Sequence, residues 1–313
     1  ERSAGASVDK TGQKSEAGAG DGRSVEQDGE QRQSIKDGLR FSRKAQPVDV
    51  AENSFDKTAA QYGGHSAYEQ AKSKGETELN YRQWVQVRTP EFKAWFGDWE
   101  KSPKRASKAI NPQTGEPLVL YHGTKSEFYT FDEKFMGQQG TALGQGFYFT
   151  TDRNYAQGYS GDDGRVLEVF LNIRHELNSE RMTLGKLNVR KIMAAIDKAQ
   201  TEDGEHYFLS NYDDVGTVGL SAALAEAVQQ EYDYSDNDVE LVGSLVNSSG
   251  SLNDVYQALS SVMGDTGIIS HKNDGSTHFV VGLSNQVKSA TENIGTFDNA
   301  NNDIRFSMSR DEM

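Results

Sequence analysis

The chain contains no cysteine, which excludes disulfides, thiol catalysis and cysteine-ligated zinc. It also lacks long apolar runs. A typical stretch, Val166–Ile173, is interrupted by Glu168 and Asn172 and is far too short to span a bilayer. Hydrophobic residues are scarce, at 35% of 313 residues, and the mean hydropathy is −0.73, so part of the chain is expected to be disordered. The six histidines include no close pair, which argues against a histidine metal site. The first twenty residues are polar with no apolar core segment, so no signal peptide is read there. Basic residues are outnumbered, 33 against 47, for a formal charge of −14. That balance argues at first against a nucleic-acid partner.

The acidity is unevenly placed. Between Asp197 and Glu240 twelve carboxylates face only Lys198, which makes −11 of the −14 and leaves −3 for the rest. The segment reads as a solvated lobe or, more sharply, as a dock for a basic protein partner over residues 197–240. A nucleic-acid acceptor elsewhere on the molecule is therefore not excluded.

Composition divides the chain. Residues 1–45 hold few large apolar side chains and cannot offset their ordering entropy. Residues 1–77 are accordingly read as mostly disordered linker of a larger polypeptide, with a weak helix near Ala59, Tyr62, Tyr68 and Ala71. The absence of an initial Met agrees with that reading. From Leu79 the aromatic density rises abruptly, and all three tryptophans, Trp84, Trp95 and Trp99, lie here. Thr89-Pro90-Glu91 reads as an N-cap, a proline at the first helical position and a first-turn acid, with Gly97 as the stop. Strands are expected at Leu118–His122, Gly146–Thr150, Val166–Ile173, Gly267–Ile269 and His278–Gly282. Helices are expected at Asn188–Ala199, Val218–Tyr232 and Val255–Met263, the last capped by Ser251. A short echo links Lys36–Arg43 with Asn302–Ser307, two segments at the edges of polar linkers.

Two motifs carry chemistry. Tyr121-His122-Gly123-Thr124 follows a strand. Gly144-Gln145-Gly146-Phe147-Tyr148-Phe149-Thr150 is followed by Asp152-Arg153-Asn154-Tyr155-Ala156-Gln157-Gly158-Tyr159. The glycine pair is no phosphate loop, because no Lys-Ser/Thr follows it and a third glycine is missing.

In this order the motifs resemble the ADP-ribosyltransferase superfamily of the His-Tyr type, which includes diphtheria toxin and the poly-ADP-ribose polymerases. The approach through Thr89–Trp99 and Gly115–Thr124, and the close through Asn285–Asp298 and Asp303–Ser307, resemble the transferase modules of phage and mobile-element polyvalent proteins. The resemblance implies an α+β fold. Its core is a split antiparallel β-sheet at residues 78–297, with an acidic helical insertion at residues 180–265. Residues 298–313 form a C-terminal linker. It further implies NAD+ as substrate, with no metal. Gly123 would pair with the nicotinamide amide through its backbone, His122 with a ribose hydroxyl, and Thr124 would reinforce these contacts. Tyr148 and either Tyr155 or Tyr159 would wall the nicotinamide ring, with Gly146 and Phe147 beside them. Relatives often carry a glutamate at the start of a late strand; by register that position holds His278. Histidine bonds a ribose hydroxyl or takes a proton, but gives no fixed negative charge. Asp274 and Glu168 are rival carboxylates.

The departure disfavours polymer formation. The resulting expectation is a mono-ADP-ribosyltransferase acting on a host macromolecule, most readily a protein, in the bacterial cytoplasm, without a membrane partner. Alternatives are an NAD glycohydrolase, an interaction module that keeps the fold without the chemistry, and an RNA-modifying relative. Met136–Leu143 reads as a flap over the nucleotide, with Ser126–Phe135 and Gly137–Gly140 lining the site after the first strand. Gln286 and Lys288 read as structural, Gln286 satisfying backbone groups at a strand end.

Overall fold

The computed structural model describes residues 47–136, 142–161, 164–202, 220–297 and 300–305. Most of the expected flap, the centre of the acidic segment and most of the echo lie outside these residues.

Helices α1 (Pro47–Gln61) and α2 (Gly64–Ser73) come first. The weak helix read near Ala59, Tyr62, Tyr68 and Ala71 is two helices, separated by a turn at Tyr62-Gly63. Ala59 and Tyr68 enter one hydrophobic cluster with Trp84, Phe92, Trp95, Phe96, Trp99 and Phe297. Helix α3 (Tyr81–Gln86) starts in a capping box. The Asn80 side chain accepts from the Gln83 N–H at 2.9 Å, and the Gln83 side chain accepts from the Asn80 N–H at 3.1 Å. Helix α4 (Pro90–Phe96) follows its expected signals, with the Thr89 hydroxyl accepting from the Phe92 N–H. Gly97 ends it at φ 100°, where a Cβ would stand 2.5 Å from the Ala106 Cα. The indole N–H groups of Trp95 and Trp99 donate to the carbonyls of Asn285 and Val87. Arg88 stacks on Trp84 and pairs with buried Glu116 at 2.6 Å.

Seven strands form one mixed, mostly antiparallel sheet: β1 (Leu120–Thr124), β2 (Phe147–Thr150), β3 (Arg165–Leu171), β4 (His175–Leu177), β5 (Thr266–His271), β6 (Thr277–Val281) and β7 (Val287–Ser289). Their order is β4-β5-β6-β2-β1-β3-β7, and only β4–β5 is parallel. Helix α5 (Arg153–Ser160) follows β2 and packs on β1. Strand β1 lies two residues later than expected, because Gly123 and Thr124 continue the ladder against Val166 and Arg165 of β3. The His-Gly-Thr motif is thus inside the strand, not beyond it.

The insertion between β4 and β5 is helical, as expected: α6 (Lys186–Glu202), α7 (Leu220–Asp233), α8 (Asp238–Ser249) and α9 (Leu252–Met263). Val189, Ile192, Met193, Ile196, Leu241, Leu245, Val255 and Leu259 pack with Ile268 and Val280 of the sheet. Not all its acids are solvated. Asp238 is fully buried and accepts from the N–H groups of Asn178, Thr183 and Leu184, so it anchors the turn into α6. Packed structure also continues past residue 297. Ile304 is buried, and buried Lys288 donates through Nζ to the Asn301 carbonyl at 2.6 Å. Among the described residues, no helix is long and apolar enough to cross a membrane.

Candidate active site

The sheet narrows at one point. Strands β1 and β3 are in register over five pairs, but β1 and β2 share only Tyr121 with Thr150. Beyond that pair the two strands diverge, and the motif residues line the divergence. This is the physical form of the split expected from the sequence.

His122 spans the opening. Its Nδ1 lies 2.8 Å from the Tyr148 carbonyl. A carbonyl only accepts, so Nδ1 carries the hydrogen and the neutral ring keeps its Nε2 lone pair as an acceptor. Burial pushes the imidazole below its ordinary pKa range, against the bond from Tyr148. Phe128, Phe131 and Phe149 surround the ring, with Phe131 at 5.0 Å between centroids. The imidazole is therefore fixed as a neutral group of defined orientation.

Gly123 needs its bare Cα for a reason not visible in the sequence. A Cβ there would lie 1.8 Å from the Ala156 carbonyl, so α5 sits directly on this residue. Gly146, at φ 153°, is likewise pressed on β6, where a Cβ would meet Val280 at 2.5 Å. Thr124 turns its hydroxyl to Ser126, accepting from its N–H and donating to its carbonyl, both at 3.1 Å. That hydroxyl is committed to the turn.

Side chains alternate across a strand, and the register divides the candidates between two faces. Tyr121, Gly123, Tyr148 and Thr150 share one face; His122, Phe147 and Phe149 share the other. Phe147, expected beside the nucleotide, is buried in the core 5.0 Å from Phe131. It also borders a cavity of about 720 Å³ lined by Phe131, Met136, Gln257, Asn285 and Arg305; part of the segment expected to line the site, Phe128–Asp132 and Phe135, borders it too, whereas His122, Gly123, Tyr148, Tyr155 and His278 do not. Tyr148 is half-buried against the helical insertion. Its hydroxyl donates to the Gly144 carbonyl at 2.6 Å and accepts from the Leu143 N–H at 3.1 Å.

On the Tyr148 face α5 begins at Asp152, whose carboxylate accepts from the N–H groups of Asn154 and Tyr155. Tyr155 and Tyr159, one turn apart, are 46% and 40% exposed, and their hydroxyls are 3.0 Å apart. The ring of Tyr155 lies 4.7 Å from that of His278. His278 stands opposite Thr150 on β6. Burial, then Lys272, hold its imidazole below the ordinary range, while Asp274 and Asp152 pull the other way. The rival carboxylates differ. Glu168 is opposite Tyr121, on the far side of β1 from β2, and faces Arg153 at 3.8 Å. Asp274 bonds Ser276 in the turn before β6. Neither occupies the His278 position.

The structure thus gathers Gly123, Tyr155, Tyr159 and His278 around α5, and sets Tyr148 and His122 on either side of the strand opening. Gln286 does what its place in the sequence suggested: Nε2 donates to the Asn172 and Thr266 carbonyls, and Oε1 accepts from the Leu283 N–H. Tyr256 was not anticipated. Its apolar helical spacing marks it only as core, yet its hydroxyl donates to the Gln145 carbonyl beside the site at 3.0 Å. Among the described residues no cluster of three or more His, Asp or Glu side chains is arranged to hold a metal.

The sheet thus parts between two central strands, with His122-Gly123 on β1 and Gly144-Gln145-Gly146 leading into Tyr148 on β2. Residues 112–297 match the family described as ADP-ribosyltransferase in polyvalent proteins, and the chain belongs to that family. Its reaction is ADP-ribosyl transfer, with NAD+ as the substrate. No curated protein and no solved structure matches the chain.

Proposed function

We propose that the protein is a mono-ADP-ribosyltransferase that modifies a host macromolecule, most readily a protein, and releases nicotinamide. The observation that carries this reading is the grouping of the motif residues about the opening between β1 and β2: Gly123, Tyr148, Tyr155 and His278 lie on one side of the sheet, and His122 reaches from the other face to the Tyr148 carbonyl. In it the nicotinamide amide pairs with the Gly123 backbone, and tyrosine rings cover its faces. The neutral Nε2 of His122 accepts from a ribose hydroxyl of the adenosine half. The bond from ribose C1′ to the nicotinamide nitrogen breaks, and its electron pair neutralises the departing ring. The acceptor's nucleophile forms the new bond to C1′. Its proton passes to His278, whose depressed pKa leaves it an unprotonated base at neutral pH. Positioning and fixed dipoles supply most of the acceleration.

Transfer of label from adenine-labelled NAD+ to macromolecules of a bacterial lysate tests the reading. The expected result is a labelled acceptor and free nicotinamide, both lost in Tyr148→Ala. The missing carboxylate at His278 favours a second reading, in which the fold binds without transferring. Nicotinamide release with no labelled acceptor would instead identify a glycohydrolase, and neither product would leave the binding module. The site of action proposed here is the bacterial cytoplasm, reached with phage or mobile-element DNA.

A further inference from the structure

Two tyrosines from different parts of the fold grip one loop. Leu143–Gly146 runs directly into β2, which carries Tyr148. The Tyr148 hydroxyl holds the Leu143 N–H and the Gly144 carbonyl, and the Tyr256 hydroxyl holds the next carbonyl, that of Gln145. Tyr256 belongs to α9, inside the helical insertion, and is 1% exposed. Its ring is fixed from below, because it fills the space over Gly282, where a Cβ would stand 2.1 Å from the ring. Burial raises its pKa, with the nearby Tyr148 contributing, so the phenol stays protonated as a donor. Gly144, at φ 97°, is closely backed by Val239 of α8 and Ile268 of β5.

We propose that the helical insertion sets the active-site loop, and that Tyr256 is a positioning residue acting through the Gln145 carbonyl on Tyr148. An insertion that served only for solubility or docking would not require a buried phenol whose hydroxyl ends on this loop. Without that hydroxyl the Gln145 carbonyl loses its donor at a partly buried contact. The loop, and the ring that hangs from its first two residues, then sample other positions. The consequence for NAD+ rests on the function proposed above; the consequence for the loop does not.

The test uses the full chain and Tyr256→Phe, which keeps the ring and removes the donor. Backbone hydrogen exchange should quicken at Leu143–Gly146 while the amides of α9 exchange as in the wild type. In parallel, KM for NAD+ should rise by roughly two- to tenfold, the range of one neutral hydrogen bond, with kcat within about twofold. Unchanged loop exchange would overturn the proposal, as would a uniform rise in exchange across the insertion. Val239→Ala, which loosens the backing of Gly144 from a second helix, should give the same localised loop signature, and a silent loop there counts equally against the proposal. If the wild type fails to turn over NAD+, the function proposed above falls, and loop exchange still decides this inference.

Discussion

Two groups of aromatic residues in this protein are treated in opposite ways. In the N-terminal cluster Phe92, Trp95 and Phe96 are at most 1% exposed, and Phe92 packs against Phe96, Phe170 and Phe297 with centroids about 5 Å apart. On α5, Tyr155 and Tyr159 remain in water although each ring could bury a large area. The first arrangement maximises burial and holds α1–α4 to the sheet. The second leaves flat surfaces exposed beside a histidine and a strand opening, where a planar substrate group would cover them. In the first group burial serves stability; in the second, exposure leaves the rings available for the role proposed for them.

The contrast breaks most easily at Trp95. Trp95→Ala should lower unfolding free energy by about 3–5 kcal/mol, with turnover per folded molecule unchanged. Tyr155→Ala should move stability by no more than ~0.5 kcal/mol and still impair turnover. Denaturant titration beside a nicotinamide-release assay separates the two; equal stability losses would erase the distinction. Next in size, His122→Ala and Tyr148→Ala should each cut turnover by about 100-fold or more, since each removes outright a group proposed to position NAD+. Circular dichroism should show both variants folded; full activity in both would dissolve the site.

His278→Ala should lower kcat by ~10-fold or more if the imidazole takes the acceptor's proton, and the wild-type rate should fall as acid protonates it. A pH–rate profile identical in the variant moves the base elsewhere. The smallest effect is on stability against pH. His122, His175 and His278 all have folded pKa values below the ordinary 6.5. Below that value the unfolded chain binds more protons, so their contribution is complete above about 6.5 and is lost as pH falls through the folded values. His122→Asn, which still has a donor for the Tyr148 carbonyl, should flatten the slope of the denaturation midpoint between neutral pH and pH 5. A slope unchanged by the substitution assigns the dependence to other groups.

Much of this was legible in the residues themselves. The helix at Pro90–Phe96 is written in Thr89, Pro90 and Gly97, because caps act on the nearest turn and need no distant partner. The central strands were found from β-branched and aromatic runs. The motif order pointed to the family and to the register that puts His278 on β6. Boundaries were less legible. β1 gained Gly123 and Thr124 because β3 pairs with them, a preference that no local propensity carries. α1 and α2 looked weak because their apolar residues are few, yet Tyr68 and Ala59 meet a cluster built from residues far along the chain.

The sequence by itself determined the chemistry available: no thiol, a His-Gly pair, a glycine-spaced tyrosine strand, a histidine at the start of a late strand, and charge concentrated in one insertion. Only the tertiary structure decided how that chemistry is divided. It turned Phe147 into the core, tied Thr124 to its own turn, fixed the His122 tautomer through a carbonyl 26 residues away, and ran the Tyr256 hydroxyl from the insertion to the loop before β2. The reason is physical. Residue type and spacing state what a side chain is able to do, but hydrogen-bond partners and burial belong to the packed molecule, and these select which ability is used.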